Sequence, residues 1–330
     1  MDSRITKKRL SDFLSYEWIV TIVFCVVAVL VWELIYSVSA VRLTVGQSYK
    51  IYFDTNYDYN TYGVLYEELK DKEALSYDVL KIGSEKIMKD TDLLATKLVV
   101  YDGDLLFTDD IVPEDEDGVV LAKYRVDSTE VYDLEELKND SLKYLQSFLY
   151  DGYSTQSLLE LDYNNLDPVK IEKAFYKRMK KDNRFRSASQ KALGLEQELE
   201  RIKRLCEDTA DFCELLTYED LFFRYTKYEQ SKDADDYKAV TYKKLYDEEV
   251  EAGRVNCKYG FRIDNLKNYY QSGKKDTTEF FQIINQENKL TSEHSILMVF
   301  NFVYKQPELQ FESIRVINTI VRACTNILDN

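Results

Sequence analysis

Asp54, Asn56 and Asp58 place oxygen-bearing side chains at every second position of the loop DTNYDYNT, the 1, 3, 5 spacing of a calcium loop. The glycine such a loop needs next is Tyr59, and its twelfth position, where a glutamate would close the cage, is Leu65. An EF-hand is therefore excluded, and no metal is expected. What remains is a set of carboxylates and a phenol, groups that accept from and donate to the hydroxyls and amines of a polar solute. Asp54, Tyr57, Asp58 and Asp109 are the candidate ligand-binding residues, because each follows or ends a segment that reads as a strand. In open parallel sheets ligands bind beyond the carboxyl ends of the strands, and the loops 54–61, 83–84 and 108–110 would gather there.

A second chemistry lies between Lys170 and Arg186, where eight basic residues face only Glu172 and Asp182. Lys173, Lys177, Arg178, Lys181 and Arg184 form a candidate partner patch for an anionic polymer or an envelope protein. Catalytic arrangements are poorly supplied. His294 is the one histidine, so a His-rich metal site is excluded and any triad would rest on it alone. Paired acids such as Glu67-Glu68 and Asp235-Asp236 are sequence neighbours that do not face each other, and glycine-rich phosphate loops are absent. Neither an enzyme nor a cofactor is expected.

The element that decides where these groups work is Trp18–Val38. It is uncharged from Trp18 to Trp32, with Glu33 the lone interruption beyond, and is close to the ~20 residues that cross a bilayer as a helix. Arg4, Lys7, Lys8 and Arg9 precede it, so residues 1–17 are expected in the cytoplasm and the rest outside. Val38-Ser39-Ala40 offers a signal-peptidase site, but the length of the run and its flanking Trp18, Trp32 and Tyr36 favour a permanent anchor. Cys25 lies mid-run, without the small-residue context of lipid attachment.

The first 40 residues carry four basic and four acidic groups, so the remainder keeps the whole net charge of −15. That balance argues against nucleic acid, whose binding neutralises phosphates with Lys and Arg. Cys206 and Cys213 are seven apart in an expected helix, about 10 Å along its axis, so free thiols are expected there.

The chain alternates strand and helix over 43–107, with strands at 43–53, 77–82 and 97–107 and a helix opening at Gly83-Ser84. A further strand is expected at 118–126. Beyond Val131 it turns helical, with starts at Asp133 and at Asp167-Pro168, a long helix over 190–216, and others near 237–252, 276–287, 292–305 and 308–328. Arg254–Ile263 could return a strand to the sheet. The fold class is α/β: an anchor at 18–38, an α/β lobe at 39–130 built on a parallel sheet, and a mainly helical lobe at 131–330.

The segments KIYFD (50–54), YDVLKIG (77–83) and ATKLVVYDGDLLFTDD (95–110) resemble the first lobe of the extracellular solute-binding proteins of bacterial ABC transporters. The anchor with LTVGQSYKIYFD also looks like membrane-tethered Gram-positive surface proteins. The resemblance implies a two-lobed type II periplasmic-binding fold, non-catalytic capture of a small solute, and a transporter permease as partner. The chain departs from that pattern in its transmembrane anchor and in having no tryptophan after Trp32. A degenerate cleft would leave a cell-envelope scaffold instead.

Overall fold

The computed structural model describes residues 7–13, 15, 18–39, 47–53, 75–87, 93, 96–97, 103–109, 131–224, 258–263, 283–284, 290–291, 295–300 and 311–324. The chain divides into two units, Met1–Arg42 and Leu43–Asn330. The first holds a short helix, α1 (Lys7–Asp12), and then α2 (Trp18–Ser39). By length and composition α2 can cross a membrane, and its side chains from Trp18 to Ser37 are exposed within the protein, Phe24 and Trp32 among them.

In the second unit a six-stranded sheet runs β2-β1-β3-β8-β5-β4, from β1 (Ser48–Phe53), β2 (Lys81–Lys86), β3 (Leu105–Asp109), β4 (Phe222–Arg224), β5 (Lys258–Arg262) and β8 (Ser295–Val299). Two residue pairs, β6 (Ile283–Ile284) and β7 (Leu290–Thr291), form a separate ladder. The expected parallel sheet is half right. β1 pairs in parallel with β2 and β3, whereas β3–β8, β8–β5 and β5–β4 are antiparallel, so the sheet is mixed. Its strands come from both sides of residue 131.

Four sequence expectations need correction. SILMV at 295–299 is a strand buried on both faces, not part of a helix; five apolar residues in a row suit a central strand as well as a buried helix turn. Gly83 and Ser84 do not open a helix either. They sit inside β2 opposite Lys50 and Ile51, at the edge of the described sheet, while Ser76–Val79 forms the preceding turn. Ile283 and Ile284 pair as a strand where a helix was expected. Strand β3 begins after Gly103-Asp104, and Thr96 and Lys97 are helical. The expected helix at 237–252 and the strand at 118–126 lie outside the described residues.

The helices start where their caps predict. Asp133 accepts from the Glu135 N–H at 3.0 Å to begin α3 (Leu134–Gln146), and α4 (Thr155–Leu159) follows. Asp167 accepts from Val169 N–H at 2.9 Å ahead of α5 (Pro168–Arg178), with proline at its first turn. Ser187 and Gln190 cap each other's backbone at the start of α6 (Ala188–Leu215). The last, α7 (Glu312–Cys324), covers the sheet together with α3 and α6. One sheet face, including Tyr49, Ile51, Phe107, Phe261 and Leu297, meets Leu137, Ile202, Phe212 and Ile317 of those helices in the main core. Cys206 and Cys213 on α6 are free thiols, as expected, and burial pushes the Cys206 thiol up to about 12.

Helix α6 carries Gly194 against two rings, and a Cβ there would lie 2.4 Å from Phe185 and 2.7 Å from Phe175. Both rings are buried and hold each other edge-to-face at 5.4 Å, so they have little room to yield. Gly194→Ala should therefore destabilise by about 1–2 kcal/mol, the overpacking exceeding the ~1 kcal/mol helix-propensity gain. Thermal melts of the two proteins check this; a stabilised variant would mean that the rings are loosely held.

Candidate functional site

The two ends of the parallel strands carry different chemistry. At the amino end, Glu198 on α6 is fully buried and receives Arg178 at 3.0 and 2.6 Å, Arg201 at 3.0 and 2.9 Å, and the Tyr77 hydroxyl at 2.8 Å. Two guanidinium forks thus close on one carboxylate. Asp78, in the turn before β2, accepts from Arg184 at 2.6 Å and ion-pairs with Arg178 at 3.0 Å. Arg184 also binds Asp182, and Arg201 donates to the Tyr144 hydroxyl at 2.6 Å. At the start of α7, Glu312 accepts the Ser76 N–H at 3.0 Å.

Electrostatics fix the protonation states. Burial pushes the Glu198 carboxyl up, but Arg201 and Arg178 overcome it and hold it at about 2. Burial and then the Glu198 charge push the Tyr77 phenol upward, so it stays a neutral donor. Burial raises Glu312 against the pull of Arg201 and Arg204. A carboxylate locked ionised between two arginines does not exchange protons near neutral pH. This end is a clamp tying the turn before β2 to α5 and α6, not a centre for acid–base work.

The carboxyl end is where the sequence placed its ligand residues. In the order β2-β1-β3, the chain leaves β1 for one side and reaches β3 on the other, which makes the gap between β1 and β3 a topological switch point. Phe53 and Phe107 pair across that gap with rings stacked at 4.9 Å and 7°. Asp109 ends β3 and is in register with Ser295 of the antiparallel strand β8. Ser295 is 4% exposed, and among the described residues its buried hydroxyl has no hydrogen-bond partner. Asp54 follows Phe53 directly, but Asp54, Tyr57 and Asp58 lie outside the described residues. Gly83-Ser84 is not among the loops at this end, since it lies within β2.

The basic patch is split. Arg178 and Arg184 turn inward to Glu198, Asp78 and Asp182, leaving Lys173 and Lys177 exposed; the side chain of Lys181 lies outside the described residues. Lys180, outside the original set, is exposed beside them. Sequence reasoning missed the inward role of the arginines because their partners are remote: Asp78 is 106 residues from Arg184. It missed Ser295 because that residue was expected in a helix. Among the described residues no three His, Cys, Asp or Glu side chains gather as metal ligands.

No family model, curated protein or solved structure matches this chain. The functional reading therefore stands on the geometry.

Proposed function

We propose that this chain is a single-pass membrane protein, its amino terminus cytoplasmic and its globular unit outside, that captures a small polar solute at the carboxyl end of β1 and β3 without transforming it. A transporter permease is the partner such a protein would serve. The observation that carries the reading is the β2-β1-β3 order, with an acid ending β3 at the switch point. The unpartnered Ser295 hydroxyl supports it, because an unsatisfied buried polar group costs about 1–3 kcal/mol until something bonds to it. Helix α2 and the basic residues before it support the anchor and its orientation.

The test is a thermal-shift screen of the full-length chain in neutral detergent against sugars, amino acids, short peptides and polyamines. A true ligand near a hundredfold its Kd should raise Tm by ~5 °C or more. Asp109→Asn should abolish that shift. Ser295→Ala should reduce it while leaving the ligand-free Tm unchanged or slightly higher, since it removes an unpaired hydroxyl. If no compound shifts the melt and the chain co-purifies with an envelope protein, the scaffold reading replaces capture.

A further inference from the structure

Helix α5 has two faces with unlike duties. Ile171 and Phe175 are buried, and Arg178 reaches inward to Glu198. The opposite face presents Lys173, Tyr176 and Lys177, continued by Lys180 in the 3₁₀ turn Met179–Lys181, and all four are exposed. Helical spacing sets Lys173 and Lys177 about 6 Å apart along the axis, within the ~8 Å Debye length, so their fields add. Among the described residues none of the three lysines is ion-paired. The exposed Tyr176 ring lies beside these lysines, 5.4 Å from that of buried Phe175 and tilted from it by 59°.

We propose that this face binds a linear polyanion, a phosphate-bearing polymer strand, at a site separate from the solute site. Charge complementarity is the first argument: an unpaired cationic stripe stands out on a chain of net charge −15. The charge distribution selects a strand over a surface. A net charge of −15 disfavours a broad anionic plane, which would meet acidic as well as basic residues, whereas a strand can follow lysines spaced along one helix and its 3₁₀ extension.

The experiment is fluorescence anisotropy of labelled inorganic polyphosphate with the full-length chain in neutral detergent micelles, across a salt series. Three neutralised charges on a single strand give a slope of log affinity against log salt of about −2. K173E/K177E/K180E should weaken binding at least ~10-fold at low salt. K143E/K191E/K203E, the same charge change at exposed lysines elsewhere, should stay within about twofold of the wild type, as contacts of this kind are local. K173Q/K177Q/K180Q serves if the reversal variant does not fold. Absence of polyphosphate binding at low salt overturns the proposal. So does equal loss in both triple variants, or binding of phosphatidylglycerol vesicles under conditions where the polymer is not held.

Discussion

Replacing Glu198 with alanine should lower the Tm of the full-length chain by on the order of 10 °C. The side chain is fully buried and is the shared acceptor of Arg178 and Arg201. Its removal leaves two guanidinium groups facing each other in a site closed to water. Breaking a buried pair by deleting one partner costs about 3–5 kcal/mol, a large share of the ~5–15 kcal/mol that holds a protein folded. Circular dichroism melts read this directly, and a drop below about 2 °C would show that water reaches the clamp.

Glu198→Gln isolates the charge. The folded-state pKa of Glu198, about 2, lies below the ordinary 4.5, so ionisation favours the folded state. That contribution is fully present above the unfolded pKa and is lost as pH falls through the folded one, and it amounts to about 3 kcal/mol. The stability gap between wild type and E198Q should therefore be widest above pH ~5 and narrow toward pH ~2. Taking the difference cancels groups common to both proteins; those facing Glu198 directly are Arg178, Arg201 and Tyr77. A gap that does not change with pH would mean that Glu198 acts by packing alone.

The second large effect lies in the sheet. Phe261→Ala should cost about 3–5 kcal/mol. Its ring sits on β5 opposite Leu297 of β8 and Phe222 of β4, with Phe222 at 5.2 Å and Phe212 of α6 at 6.2 Å. Removing it opens a void where β4, β5, β8 and α6 meet, and the strands cannot collapse into the gap without breaking their ladders. The substitution thus tests whether Arg254–Ile263 returns to the sheet. A loss near 0.5 kcal/mol, typical of a surface change, would place β5 outside the core.

Signals that act over a few residues were legible in the sequence, and those that act across the fold were not. Asp133, Asp167-Pro168 and the long helix of α6 were readable because a cap and an apolar period decide them locally. The apolar run of α2 was readable for the same reason. SILMV failed because its five apolar residues carry no period, so only its antiparallel neighbours β3 and β5 identify it. β2 failed because Gly83-Ser84 imitates a helix start, whereas pairing with β1 decides the matter. Nothing local marks Glu198 on α6 as buried; its partner Tyr77 is 121 residues away, as Ser76 is 236 from Glu312. At the candidate site, Asp109 could be proposed from the acid that closes an apolar strand. Ser295, opposite it, depends on the misread strand and could not be.

Hydrogen–deuterium exchange on the full-length chain, with and without a solute that raises Tm, tests the central claim most directly. Bound solute should protect the amides around Phe53–Asp58 and Phe107–Asp110, at the carboxyl ends of β1 and β3, and leave α5 and the Ser76–Val79 turn unchanged. Protection confined to the amino end of the strands or to α5, with none at those two segments, would contradict capture at the switch point.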